Sequence, residues 1–199
     1  MSGFGKGCVV IAFLLFAGLI YFLFFVYKPP RQAPARFRGK VVSNYLETPP
    51  DLPDPAARAV EGSPAPDFTY ATINNDILTL SSFKGKKPVV LDFWATWCPP
   101  CRLELPALQE FYSKHADDVE IIAISSEPPQ AASTIWTIVQ NDGITFTVMH
   151  DPKEAIETLY PHNAIPFLVF IDSDGKVVKI ALGYSPIVGE EIHELFGLP

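Results

Sequence analysis

Apolar residues fall along this chain in three regimes. Cys8 to Tyr27 is an uncharged run of 20 residues, which as a helix spans about 30 Å, the hydrocarbon thickness of a bilayer. From Lys28 to Pro66 there are nine prolines in 39 residues and no regular apolar spacing, the mark of an extended, semi-rigid tether. Beyond it, short branched and aromatic runs alternate with stretches of helical spacing. The chain therefore divides into an N-terminal flank at 1–7, a transmembrane anchor at 8–27, a basic Pro-rich tether at 28–60 and a folded domain at 61–199.

Within the domain, Phe68 to Ala71 and Ile77 to Leu80 flank Asn74-Asn75-Asp76 and predict a hairpin. Ser81-Ser82-Phe83 starts a turn into a strand over Pro88 to Ala95. The spacing then predicts a helix from about Pro100 to Lys114, kinked at Pro106, a strand over Val119 to Ser125 and a helix near Gln130 to Asn141. A strand over Thr145 to Met149 and a helix over Pro152 to Tyr160 follow. Phe167 to Ile171 and Val177 to Leu182 pair through the turn Asp172-Ser173-Asp174-Gly175, and a helix near Gly189 to Phe196 closes the chain. That order is compatible with a mixed central sheet covered by helices on both faces.

The stretch Leu91 to Arg102 joins the apolar strand to Cys98-Pro99-Pro100-Cys101 at the start of the first helix. There the first cysteine meets unpaired N–H groups and the positive end of the helix dipole, which favour thiolate over thiol. A C-x-x-C pair works by thiolate attack on a disulfide and then attack of the second cysteine on the mixed disulfide. Cys98, at the exposed helix start, is the candidate nucleophile, and Cys101, one turn inside, the resolving thiol. Pro99 and Pro100 lack N–H groups, which suits the first helical turn and limits the donors near the thiolate. Trp94 is read as core and Trp97 as an apolar platform beside the pair. Asp92 is a carboxylate in an apolar strand, so it is paired, protonated or functional if buried, and an ordinary exposed residue if the strand alternation turns it outward.

Phe93-Trp-Ala-Thr-Trp-Cys-Pro-Pro-Cys-Arg102 resembles the membrane-anchored TlpA/ResA-like (DsbE/CcmG-type) thiol–disulfide oxidoreductases of the thioredoxin superfamily. Ala65-Pro66-Asp67-Phe68, Gly143-Ile144-Thr145-Phe146 and Ile165-Pro166 fall in that family's order, and the resemblance covers Glu61 to about Leu198. It implies a thioredoxin fold with an N-terminal hairpin and a strand–helix insertion at Thr145 to Tyr160. It also implies a cis peptide at Ile165-Pro166, in a loop that faces the disulfide and presents backbone to a bound peptide alongside Trp97, Pro99 and Pro100. Asp92 matches the buried acid implicated in proton transfer to the resolving cysteine, although TlpA-like sequences often carry Asn there. Glu104 matches an acid found near the pair in ResA-like proteins; its alternative is a solvated helix residue. Phe167 and Leu168 stand where relatives commonly carry Thr-Thr, which implies a more apolar groove, and Tyr160-Pro161-His162 departs from the usual Tyr-Gly-Val.

Charge and cysteine content narrow the function. Residues 28–60 carry six Lys/Arg against three Asp/Glu, net +3, whereas 61–199 carry eight against nineteen, net −11; an acidic domain argues against nucleic acid as partner. Cys8 lies in the anchor, so the domain's two cysteines make neither a disulfide framework nor a zinc site. Asp172-Ser173-Asp174-Gly175 lacks the remaining ligands of a calcium loop. No cofactor or metal is expected. The expected partners are client proteins with cysteine pairs and an upstream membrane thiol–disulfide electron donor. The leading reading is a membrane-tethered reductase keeping client cysteines reduced for haem attachment or copper insertion; the alternative is an SCO-like copper-binding assembly chaperone using the pair with a histidine such as His162. The resemblance places the domain outside the inner (cytoplasmic) membrane on a single pass. Lys28, Arg31, Arg36, Arg38 and Lys40 after the apolar run, against Lys6 and the amino terminus before it, argue the opposite by the positive-inside rule.

Overall fold

The computed structural model describes residues 59–199. The flank, Cys8, the anchor at 8–27 and the tether up to residue 58 lie outside the described residues. Among the described residues no helix is long and apolar enough to cross a membrane.

Five strands form the central sheet in the order β5-β4-β3-β6-β7: β3 (Val89–Phe93), β4 (Glu120–Ser125), β5 (Thr147–His150), β6 (Phe167–Ile171) and β7 (Val177–Leu182). The β3–β4 and β4–β5 pairs are parallel, while β3–β6 and β6–β7 are antiparallel. Parallel neighbours need crossovers, and α1 (Pro99–His115) and α2 (Ala132–Asn141) supply them. A separate hairpin of β1 (Thr69–Ala71) and β2 (Ile77–Thr79) reaches the β5 edge through a bridge between Thr72 and Met149. Asp172 Oδ1 accepts the N–H groups of Asp174 and Lys176, which makes the β6–β7 connection a side-chain-stabilised turn. Pro106 sits inside α1, which continues to His115.

The two faces of the sheet are covered differently. One face, including Val90, Ile121, Ala123, Leu168 and Phe170, packs on Leu105 and Leu108 of α1, Ile135 and Val139 of α2, and Val188 and Ile192 of α3 (Val188–Phe196). The other face, including Leu91, Ile122, Ile124 and Val169, packs on Phe68, Leu80, Ile156, Leu159 and Tyr160. Among the described residues all three α-helices therefore lie on one face, and only 3-10 turns serve as helical cover on the other. The helix expected over Pro152 to Tyr160 is a single 3-10 turn, Glu157–Leu159. Asp151 explains the difference. Its carboxylate accepts the N–H groups of Ala155, Ile156 and Glu157, and Glu154 adopts φ 57°, a left-handed conformation that interrupts an α-helix. The stretch after Thr145 thus contributes β5 and a buried-acid turn.

Candidate functional site

β3 ends at Phe93 and α1 begins at Pro99, so the C-x-x-C sits just past the C-terminal end of the central strand, at the start of a helix on the helix-covered face. Cys98 is the N-cap of α1, and Cys101 N–H donates to its Sγ at 3.3 Å. Because Pro99 and Pro100 have no N–H, that amide is the first in the helix able to reach the sulfur. The two sulfurs are joined, 2.06 Å apart. Cys98 is 3% exposed and Cys101 1%, so the expectation of an exposed cysteine at the helix start is corrected. Cys98 is roofed by the neighbouring loop: its Sγ lies 3.9 Å from the carbonyl oxygen of Ile165, and the Ile165-Pro166 peptide is cis. Around this point Trp97 is 71% exposed, Pro99 is exposed, Pro100 and Ile165 are half-buried and Pro166 is buried. Trp94 is buried, as expected of core.

Two acids are buried near the start of this helix, Glu104 three residues after Cys101 and Asp92 on β3. Asp92 alternates with Val90 and Trp94 on the helix-covered face of β3, beside Leu168 of β6 and Ala123 of β4, which settles its orientation. It is 1% exposed, and neither carboxyl oxygen has a hydrogen-bond partner in the protein. Burial pushes its pKa well above the usual carboxylate range, and the charge of Glu104 pushes it further. Glu104 is itself fully buried, so the solvated alternative falls. Its Oε1 accepts Ser185 N–H at 3.2 Å, and its Oε2 has no partner in the protein. Burial raises its pKa to about 7, with the Ser185 hydrogen bond pulling it down and the Glu191 charge pushing it up. Two buried carboxyls whose pKa values are both raised by burial are suited to proton exchange.

Sequence reasoning missed Glu127, which holds the approach to Cys98. Buried at 8% exposure, its carboxylate accepts Thr96 N–H and Thr96 Oγ1–H, both at 2.7 Å, and Ser125 Oγ–H at 3.0 Å. Its carbonyl oxygen lies 2.8 Å from His150 Nε2. The clamp fixes the segment between Ala95 and Cys98 to the end of β4, and Arg102 is tied on the far side of the pair to Asp142 at 2.8 Å. His162 goes elsewhere: it stacks on Phe167 at 4.7 Å between centroids, contacts Phe93, and has Nδ1 3.0 Å from the Tyr160 carbonyl oxygen. Among the described residues no group of three or more His, Cys, Asp or Glu is arranged to hold a metal.

Residues 62–180 match the model of the AhpC/TSA family. The chain is 32% identical to the thioredoxin-like protein YneN of Bacillus subtilis over 124 residues, 62% of this chain and 72% of that protein. It is 35% identical to the thiol–disulfide oxidoreductase ResA of Bacillus subtilis over 125 residues, 62% of this chain and 68% of that one. Among solved structures it is similar to a thiol:disulfide interchange protein of the thioredoxin family from Chlorobium tepidum TLS, with a TM-score of 0.58 and 26% identity, covering 68% of this chain and 97% of that one.

Proposed function

Because the chain belongs to the AhpC/TSA family and is a thiol–disulfide oxidoreductase of thioredoxin fold, we propose that it works as a reductase returning client protein disulfides to thiols. In the working direction the Cys98 thiolate attacks one sulfur of a client disulfide. The client S–S bond breaks, a Cys98–client disulfide forms, and the departing client thiolate takes a proton. Cys101 then gives its proton to the Asp92 carboxylate and attacks Cys98 Sγ. The second client thiolate leaves, and two electrons have passed from the pair to the client. The Cys98–Cys101 disulfide that results is the state seen here. Glu104 exchanges protons with Asp92. Trp97, Pro99, Pro100, Ile165 and Pro166 receive the client's cysteine segment.

One observation carries the direction: the pair shares its core with Asp92, which has no hydrogen-bond partner, and Glu104, which has one, and a single amide, that of Cys101, donates to Cys98. The helix dipole favours the thiolate and hence the reduced form, which pushes towards an oxidant; the buried acids oppose it. For a two-electron couple about 30 mV corresponds to about 1.4 kcal/mol, so one ion-pair-sized effect shifts the equilibrium tenfold. Equilibration with glutathione tests the proposal: a midpoint near −270 mV, roughly that of a thioredoxin, supports it, and one near −120 mV, roughly that of a strong oxidant, overturns it.

The copper-chaperone alternative has no support, since the similar proteins are named for thiol–disulfide exchange and His162 is packed against Phe167. The clients in this reading are proteins whose cysteines must be thiols when haem or copper arrives, and the pair is re-reduced by a membrane thiol–disulfide donor. The apolar run at 8–27 anchors the protein in the cytoplasmic membrane on a single pass, with the domain outside the cytoplasm. The resemblance supports that side and the five basic residues after the run oppose it. Protease added to spheroplasts decides: digestion of the domain before lysis supports the placement, and protection until lysis overturns it.

A further inference from the structure

The connection between β7 and α3 does more than join them. Gly183 N–H donates to the Pro166 carbonyl oxygen at 2.8 Å, which seats the start of the loop beside the cysteine pair. Two residues on, Ser185 N–H reaches the buried Glu104 Oε1 at 3.2 Å. The hydroxyl of the same serine donates to Glu191 Oε1 at 2.5 Å, and Glu191 Oε2 holds Lys179 Nζ at 2.7 Å. Lys179 is in turn fixed 5.4 Å above the ring of Phe170. The loop is thus pinned from β7 by Lys179 and from α3 by Glu191. α3 can come this near because residue 189 is glycine, where a Cβ would lie 3.2 Å from Phe111 Cβ of α1.

We propose that Lys179, Glu191 and Ser185 are positioning residues that hold the Ser185 N–H on the Glu104 carboxylate, and so govern how readily that group takes and gives a proton near the cysteine pair. The inference rests on the thiol–disulfide exchange proposed above. Glu104 has one hydrogen bond and one unpartnered oxygen, so the placement of a single donor weighs heavily on its ionised form. The charged and titratable groups around it are Asp92 on β3, Cys98 and Cys101 at the start of α1, and Glu191 on α3, whose charge is partly offset by Lys179 on β7. Arg102, also on α1, is committed to Asp142. Glu191 acts twice and with opposite sign: its hydrogen bond to Ser185 seats the donor that favours the Glu104 carboxylate, while its negative charge disfavours it.

That opposition gives the test. Ser185→Ala removes the anchor and keeps every charge, so Glu104 binds its proton more tightly, by about threefold to tenfold for one hydrogen bond. Glu191→Gln keeps an acceptor for the serine hydroxyl and removes the charge, so Glu104 binds its proton less tightly. Lys179→Met exposes the Glu191 charge and moves Glu104 the same way as Ser185→Ala. The readout is a carbon-13 titration of the Glu104 carboxyl in the intact disulfide-bonded protein, with thermal unfolding alongside. Opposite displacements in Ser185→Ala and Glu191→Gln support the proposal; displacements of one sign, or none in Ser185→Ala with folding intact, overturn it. Midpoint potentials measured against pH on the same variants separate the two readings. If the carboxyl titration moves as stated while the parent's potential fails the test given above, the positioning role stands and the reductase assignment falls.

Discussion

Asp92 and Asp151 are buried to the same degree on opposite faces of the sheet, 1% and 0% exposed, and they are provided for in opposite ways. Asp151 accepts three backbone N–H groups, at 3.0 Å from Ala155, 2.7 Å from Ile156 and 3.4 Å from Glu157, and the Tyr70 hydroxyl. Asp92 accepts nothing from the protein. Burial pushes both acids upward; in Asp151 the hydrogen bonds pull back, whereas in Asp92 the neighbouring Glu104 adds to the push. The lesson is that burial alone does not distinguish a structural acid from a reactive one. The distinction lies in whether the surrounding backbone completes the carboxylate, as at the turn after β5, or leaves it without a partner, as at Asp92, which is what the proposed proton transfer needs.

The largest test of this contrast is Asp151→Ala. It strands three amide donors and is expected to lower stability by about 3 kcal/mol in urea unfolding, while leaving the midpoint potential unmoved. A shifted potential with unchanged stability would reverse the assignment of the two acids. Asp92→Asn is expected to do the converse. Resolution of the mixed disulfide slows by about 100-fold, as loss of a positioned proton acceptor does, with the first attack little changed. Its stability effect has a definite sign. The folded pKa of Asp92 lies above the unfolded one, so the folded parent binds that proton more tightly and loses stability as pH rises from the ordinary carboxylate range towards the folded pKa. The Asn variant lacks this slope and becomes the more stable protein at alkaline pH, by on the order of 1–3 kcal/mol.

Glu104→Gln is the mildest of the three, because Ser185 N–H still has an oxygen to meet. For Glu104 the parent's stability falls as pH rises between about 4.5 and about 7, and the Gln variant is expected to have a shallower slope across that window in denaturant titrations, the part due to Asp92 remaining. An unchanged slope would mean that Glu104 is not the titrating group.

The pair, the strand before it and the helix after it were legible because each shows in local sequence: a branched apolar run, two cysteines three apart, prolines at the first helical positions. The burial of Glu104 was within reach too. Cys101, Leu105 and Leu108 define the buried stripe of α1, and Glu104 falls three residues from the first and four from the last. A charged residue carries a strong expectation of exposure, which masked the spacing. Glu127 was beyond reach, since its partner Thr96 lies 31 residues away and nothing local marks either residue. The stretch Pro152 to Tyr160 has the composition of a helix and predicts one. What overrides it is the Asp151 side chain, which takes the amides a helix would use, together with the left-handed Glu154.

The low exposure of Cys98 also bears on selectivity in time. Disulfide exchange needs the attacking thiolate to approach the sulfur in line, and at 3% exposure, with the Ile165 carbonyl overhead, that approach is narrow. A small bystander thiol gains nothing from the exposed Trp97 ring, whereas a protein segment laid across it is guided to the sulfur. In the proposed reading this is a kinetic insulation: exchange with small thiols of the surroundings is slow compared with exchange with a client that lies across Trp97. An electron carrier serving a few clients needs that separation of timescales as much as it needs a suitable potential.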